Sequence, residues 1–189
     1  LILPFGYSAG DGIVAPSVKN SFGSYRDTAG SRTTVKPDEV KAYSSYQSAC
    51  ENIDKADLHS VNILAVQNRD EEIGESLSGI LQQWQAKLGF YCSISYVSES
   101  EYEEKISGGD YTLALTRING EYNRPEAYLG MFISGGYKYS AMDDAYSALI
   151  QQAAAAKDSK EEYELCVKAE KQLITDGRFI PVAYVTEYF

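Results

Sequence analysis

Histidine is almost absent from this chain of 189 residues, and cysteine, tryptophan and positive charge are scarce. With His59 as the single histidine, a Ser/His/Asp or Cys/His catalytic system would rest on that residue alone. Its setting between Leu58 and Ser60 reads as a loop feeding a strand. Cys50, Cys92 and Cys166 are far apart and form neither a CxxC pair nor a Cys/His spacing, which argues against zinc. Lys and Arg number 17 against 27 Asp and Glu, for a formal charge of −10. That balance opposes a sequence-independent grip on nucleic acid, which needs clustered cations to displace counterions. No apolar run approaches the roughly 20 residues of a membrane span. Signal-peptide patterning is missing too, and the abrupt ends, Leu1-Ile2-Leu3-Pro4 and Glu187-Tyr188-Phe189, read as cuts from something longer.

What is present is a core-forming composition, 44% hydrophobic, sufficient for one domain. Sixteen tyrosines against one tryptophan suit strand edges and wet binding surfaces, because tyrosine buries a ring and keeps a hydroxyl. Residues 1–36, rich in glycine, serine and threonine, read as an irregular cover that packs through Phe5, Tyr7, Ile13, Val14, Val18, Phe22 and Tyr25. The α/β core is expected over 37–189.

Its elements follow from periodicity. Pro37-Asp38-Glu39 starts a helix over 37–51, and Asn52 to Asp57 is a polar turn. Val61 to Val66 is a short apolar strand of the kind buried on both faces in a parallel sheet. Asp70-Glu71-Glu72 opens the strongest helix, with Ile73, Leu77, Ile80, Leu81, Trp84 and Leu88 on one face and Gly89 as its stop. These acids sit at the positive end of a helix and diverge around it, so they read as dipole partners, not metal ligands. Phe90 to Val97 alternates as a strand, residues 100–106 form a short acidic helix ending at Gly108-Gly109, and Tyr111 to Arg117 is a third strand. The order βαβαβ implies right-handed crossovers, parallel strands and ligands beyond their carboxyl ends, where the loop Ile118 to Pro125 follows. Tyr128, Leu129, Met131, Phe132 and Ile133 form an apolar cluster before Ser134-Gly135-Gly136 and a turn at Tyr137 to Ser140. Asp143-Asp144 introduces a helix with Ala145, Leu149, Ile150 and Ala153 inward. Ser159-Lys160-Glu161-Glu162 matches a capping box, the next helix carries Tyr163, Cys166, Val167, Leu173 and Ile174, and Phe179 to Val185 is a final strand.

Glycine-rich nucleotide loops are not found, and no acid–base pair can be assembled from Asp110 and Glu121. Five segments, in order over residues 61–185, resemble a known family. They are Val61 to Val66; Ile80-Leu81-Gln82-Gln83-Trp84-Gln85-Ala86-Lys87-Leu88-Gly89-Phe90; Tyr102 to Ile106 with Gly108-Gly109-Asp110-Tyr111-Thr112-Leu113-Ala114; Tyr122-Asn123-Arg124-Pro125; and Ala169 to Ile174 with Phe179-Ile180-Pro181-Val182. The family is that of the peptide-type (family 5) extracellular solute-binding proteins of ABC importers, which includes dipeptide-, oligopeptide- and nickel-binding members.

The resemblance implies a periplasmic-binding-protein-like type II lobe, a mostly parallel mixed sheet flanked by helices. The chain would be a single C-terminal lobe of a two-lobed clamp, working with an absent N-terminal lobe and with ABC permease subunits. It also implies an extracytoplasmic setting in the periplasm or on the cell surface, with any lipid anchor outside this segment, and binding of a peptide without catalysis, cofactor or metal. In oligopeptide-binding relatives an Asp after the third strand pairs with the peptide α-amino group, and the matching position is Glu121. A family Trp falls at Ile118 and a basic residue at Leu115, for which Arg117, on the same strand face, is a substitute. The implied ligand-binding residues are Glu121, Arg117, Tyr122, Asn123, Ile118 and Asn119. Alternatives are another solute of the same family (nickel chelate, sugar or opine), a small hydrolase or transferase using Glu121 and Tyr122, and an interaction domain that reuses the lobe in a sensor.

Overall fold

The computed structural model describes residues 2–30, 33, 38–53, 60–133 and 142–186. Pro37, most of the turn at 52–57, His59, the segment 134–140 and the last three residues lie outside the described set. The elements, in chain order, are β1 (Tyr7–Ala9), β2 (Lys19–Asn20), β3 (Gly23–Ser24), α1 (Tyr25–Ala29), α2 (Glu39–Asn52), β4 (Ser60–Val66) and α3 (Glu71–Leu88). They continue with β5 (Tyr91–Val97), α4 (Glu99–Gly108), β6 (Leu113–Ala114), α5 (Glu126–Leu129), α6 (Asp144–Ala154), α7 (Ser159–Thr175) and β7 (Ala183–Val185). A 3-10 turn, Gly130–Phe132, follows α5. Two compact units result: Leu1–Phe5 with Lys36–Thr116, and Gly6–Val35 with Arg117–Phe189.

The first unit is the βαβαβ expected from the pattern. Its sheet has the order β5-β4-β6 and both pairings are parallel, Ser60 to Val66 against Tyr91 to Val97 and Ile63-Leu64 against Leu113-Ala114. A central strand paired on both sides has no polar face to spare at its carboxyl half, and Ile63, Leu64, Ala65 and Val66 are all buried. Helix α3 lays Ile73, Leu77 and Leu81 inward, and Gly89 closes it in the left-handed conformation at φ 81°, which a Cβ would disfavour. Asp70 is fully buried; its Oδ2 accepts the Val66 amide at 2.9 Å and pairs with Arg69, so it ties the helix start to the strand end.

Two expectations in this unit change. The third strand is two residues long instead of seven, because the Leu115 carbonyl is taken by the Tyr102 hydroxyl at 3.0 Å while only the Leu115 amide continues to Leu64, at 2.8 Å. Helix α2 begins two residues later, at Glu39, capped by Asp38, whose side chain accepts from the Lys41 amide. It buries no residue fully: Tyr46 reaches Phe90 at a ring separation of 5.4 Å, and Val40 is 82% exposed.

The second unit packs α5, α6 and α7 with residues from the amino-terminal segment. Ile13, Val14, Val18, Tyr25 and Ala29 share one core with Leu129, Phe132, Tyr146, Ile150, Tyr163, Cys166 and Leu173. Phe5 and Phe22, by contrast, are exposed. The final strand is antiparallel to β1, Tyr7 opposite Val185, as a separate two-stranded ribbon. On α6 Ile150 and Ala153 are buried as expected, Leu149 packs partly against the core, and Tyr146 takes the inward place expected of Ala145, which faces solvent; Asp143 caps the helix by accepting the Tyr146 amide. The α7 cap is Asp158, accepting from the Lys160 and Glu161 amides, and not Ser159, so Glu162 is released from a capping role.

A charged residue lies at the centre of this core. Glu170 on α7 is fully buried, accepts the Ile13 and Val14 amides at 2.6 and 3.1 Å and the Tyr25 hydroxyl at 3.1 Å, and pairs with Arg26. Arg26 also reaches Thr33 Oγ1 at 3.4 Å and lies 3.6 Å from Asp11, which accepts from Tyr184. Burial, reinforced by the charge of Glu170, pushes the Tyr25 phenol well above its ordinary value, so it stays a hydrogen-bond donor. A Cβ at Gly12 would overlap the Arg26 guanidinium, so glycine is required there.

Candidate functional site

The chain leaves β6, crosses Thr116, and enters the second unit at Arg117. The loop from Arg117 to Pro125 is anchored by a different interaction at nearly every step. Arg117 donates from Nη2 to the Tyr7 hydroxyl at 3.4 Å. Ile118 turns inward, half-buried against the core that contains Leu129 and Phe132. Gly120 admits the ring of Tyr128: a Cβ there would overlap Cε2 and lie 2.6 Å from Cζ. Asn123 donates from Nδ2 to the Lys19 carbonyl at 3.2 Å, tying the loop to the β2–β3 hairpin.

The carboxyl end of the loop is held by charge. Arg124 forks onto Glu162 of α7, Nε to Oε1 at 3.2 Å and Nη2 to Oε2 at 3.1 Å, and the same Nη2 lies 2.9 Å from Glu126 Oε1. A planar guanidinium fits a carboxylate in this two-point manner and fixes its own direction in doing so. Its backbone amide bonds the Tyr122 carbonyl at 2.9 Å, which closes a three-residue turn, and Pro125 is fully buried behind it.

Between these anchors Glu121 and Tyr122 project. Tyr122 is 53% exposed, Glu121 is exposed, and among the described residues no hydrogen bond or ion pair holds the Glu121 carboxylate. Of the six residues that the sequence singles out, five (Arg117, Asn119, Glu121, Tyr122 and Asn123) are exposed on one loop, and Ile118 is its apolar root. The pairings that shape it, Gly120 with Tyr128 and Arg124 with Glu126 and Glu162, are not legible in the sequence, where Arg124 belongs to the Tyr122–Pro125 segment and Glu162 to the capping box. Nothing local signals them. An Arg and a Glu 38 residues apart carry no shared pattern.

No group of three His, Cys, Asp or Glu side chains is placed to hold a metal ion among the described residues. The Cys166 thiol is pushed up by burial and is a core residue, not a nucleophile. A concavity of about 310 Å³, lined by Gly10, Asp11, Thr33, Ile174, Phe179, Ile180 and Pro181, lies in the same unit and includes none of the loop residues. No helix among the described residues is long and apolar enough to cross a membrane.

No protein-family model matches the sequence, and no curated protein is significantly similar to it. Solved structures do match. The substrate-binding domain of an oligopeptide ABC transporter from Bacillus anthracis aligns over 96% of this chain and 37% of its own, with 23% identity and a TM-score of 0.77. A peptide-binding protein of a peptide ABC transporter aligns over 95% of this chain and 80% of its own, with 20% identity and a TM-score of 0.76. The mannohexaose-bound periplasmic oligopeptide-binding protein of Thermotoga maritima aligns over 97% of this chain and 37% of its own, with 17% identity and a TM-score of 0.73. The chain spans little more than a third of the Bacillus and Thermotoga chains. It therefore has the periplasmic-binding-protein-like fold of a segment of ABC-transporter peptide-binding proteins.

Proposed function

We propose that this chain is one lobe of the substrate-binding component of an ABC importer, and that it binds peptides in a cleft completed by a second lobe and delivers them to the permease. It acts outside the cytoplasmic membrane and catalyses nothing. The observation that supports this reading is the Glu121 tip: a carboxylate without an internal partner among the described residues, held out by a loop anchored at Tyr7, Tyr128, Lys19 and Glu162. Rigid anchoring matters because a ligand contact gains free energy only to the extent that the binding group has already lost its freedom. In a closed cleft Glu121 accepts hydrogen bonds from the peptide α-ammonium, a charge-assisted pair strengthened as water leaves. Arg117 meets a ligand carboxylate in this reading, with Tyr122, Asn119 and Asn123 lining the approach and Ile118 seating the loop.

A sugar is the second reading. Tyr122 offers a half-exposed ring beside a carboxylate, which is stacking and hydrogen-bonding chemistry suited to a saccharide, and a protein of this fold is described as mannohexaose-bound. Calorimetric titration of the full-length protein with short peptides and with oligosaccharides separates the two. Peptide binding that Glu121→Gln abolishes supports the first. Submicromolar peptide binding by residues 1–189 alone would overturn the two-lobe account, since half of the cleft is then missing.

A further inference from the structure

We propose that the Glu126 carboxyl keeps a proton beside Arg124 and Glu162, and that this proton sets how firmly the Glu121 loop is held. Glu126 begins α5, directly after the loop, and is 6% exposed. Both of its carboxylate oxygens are buried without a hydrogen bond; Oε1 is near the Arg124 guanidinium, but not in a direction that makes one. Glu162 projects from α7 to the same guanidinium and takes both of its hydrogen-bonding contacts. The arrangement is two carboxyl groups against one cation.

Fully ionised, the cluster carries a net negative charge at a buried site, and Glu126 has two acceptors with nothing to accept. One proton removes both faults, because a protonated carboxyl donates to the neighbouring carboxylate while Arg124 balances the remaining charge. Glu126 Oε1 and Glu162 Oε2 lie 2.9 and 3.1 Å from the same Arg124 Nη2, which brings the two carboxyl groups side by side. Burial, with the charge of Glu162 in support, holds the Glu126 carboxyl above its usual range against the opposing pull of Arg124. The other titratable groups that act on the pair from α7, Tyr163 and Cys166, are both pushed up by burial and stay neutral. Among the described residues, Arg124 is thus the cation that answers two acids.

Because Arg124 is also the anchor of the loop, the proton and the loop are linked. Raising the pH strips the proton, puts like charges side by side and divides Arg124 between them, so the segment 119–124 loosens. Lowering it restores one carboxylate for one guanidinium. The consequence for ligand binding rests on the reading of Glu121 given above; the linkage itself does not.

The test needs no ligand. In residues 1–189 labelled with carbon-13 and nitrogen-15, Glu carboxyl resonances and backbone amides are followed by NMR across the acid-to-neutral range. One Glu carboxyl is expected to titrate above the ~4.3 of a free glutamate, and the amides of Asn119 to Arg124 to shift with the same midpoint. Glu126→Gln should abolish both changes and leave the loop amides near their low-pH positions throughout. In Glu162→Gln the midpoint should fall, since the like charge is gone. The proposal is overturned if no Glu titrates high, if the loop amides ignore that step, if the step persists in Glu126→Gln, or if Glu162→Gln leaves the midpoint unchanged. Failure of the peptide-binding reading would instead appear only in the Glu121→Gln calorimetry.

Discussion

Replacing Glu170 with alanine removes the acceptor for four donors at once: the Ile13 and Val14 amides, the Tyr25 hydroxyl and the Arg26 guanidinium. The Arg26 side chain is 9% exposed and Glu170 is completely buried, so water cannot take over the lost contacts without opening the core. Leaving one member of a buried ion pair uncompensated costs about 3–5 kcal/mol. Each orphaned neutral donor adds about 1–3 kcal/mol when it stays buried, though residual contacts of Arg26 with Asp11 and Thr33 and local relaxation offset part of this. A net loss of about 5 kcal/mol is a third or more of the ~5–15 kcal/mol that keeps a domain folded. At ~2–4 °C per kcal/mol for a chain of this length, the midpoint of melting should fall by about 10–20 °C. Glu170→Gln retains the shape and an acceptor for the two amides and should lose only about half as much, on the order of 2–3 kcal/mol. Thermal melts followed by circular dichroism measure the loss, and limited trypsinolysis locates it: the segment held by Glu170 includes Lys19, where cleavage should quicken in Glu170→Ala. A midpoint within about 3 °C of the parent, with unchanged cleavage at Lys19, would refute the claim that this carboxylate ties the amino-terminal segment to α7.

Glu121→Gln in the full-length protein should weaken peptide binding roughly 10- to 100-fold, the value of one charge-assisted hydrogen bond of ~1.5–3 kcal/mol, with melting unchanged because Glu121 has no partner among the described residues. An unaltered Kd in calorimetry would remove Glu121 from the site. Gly120→Ala drives a Cβ into the Tyr128 ring and should cost about 1–3 kcal/mol in chemical denaturation; combining it with Tyr128→Ala should restore the loop amide shifts, and failure to do so would show that the ring is not what demands glycine. Asp158→Ala should cost about 1 kcal/mol by loss of the α7 cap while Ser159→Ala is close to neutral, and the reverse order in urea melts would reinstate the capping box. Glu126 has its folded pKa raised by burial, so its contribution to stability is complete below the ordinary carboxylate range and is lost as pH rises through the raised value; Glu126→Gln should therefore flatten the fall in stability towards neutral pH, and an unchanged pH slope would contradict that sign.

The parts of the fold that were legible in the sequence are those encoded by neighbours. The 3.6-residue spacing of Ile73, Leu77 and Leu81, the stop at Gly89, and the alternation after Phe90 specify α3 and β5 through the backbone geometry of a few adjacent residues. Once two strands flank a helix of that length, a right-handed parallel crossover follows, and the β5-β4-β6 sheet is its result. Motif order pointed to the Arg117–Pro125 loop for the same reason. Where it failed, the failure was also local: Ser159 and Asp158 are adjacent candidates for one cap, and Ala145 and Tyr146 for one face.

Tertiary structure alone decided what those elements hold. Glu170 and Glu162 sit on α7 as two acids among many, and on a helix an acid reads as solvated. Their partners are Arg26 and Arg124, 144 and 38 residues away, and no periodicity connects positions so distant. The same holds for β1 and β7, paired from opposite ends of the chain. Periodicity reports which side of an element is apolar; which buried charge meets which counter-charge depends on the closure of the chain in three dimensions. In this protein that closure turns a polar loop into an anchored one and leaves Glu121 at its tip.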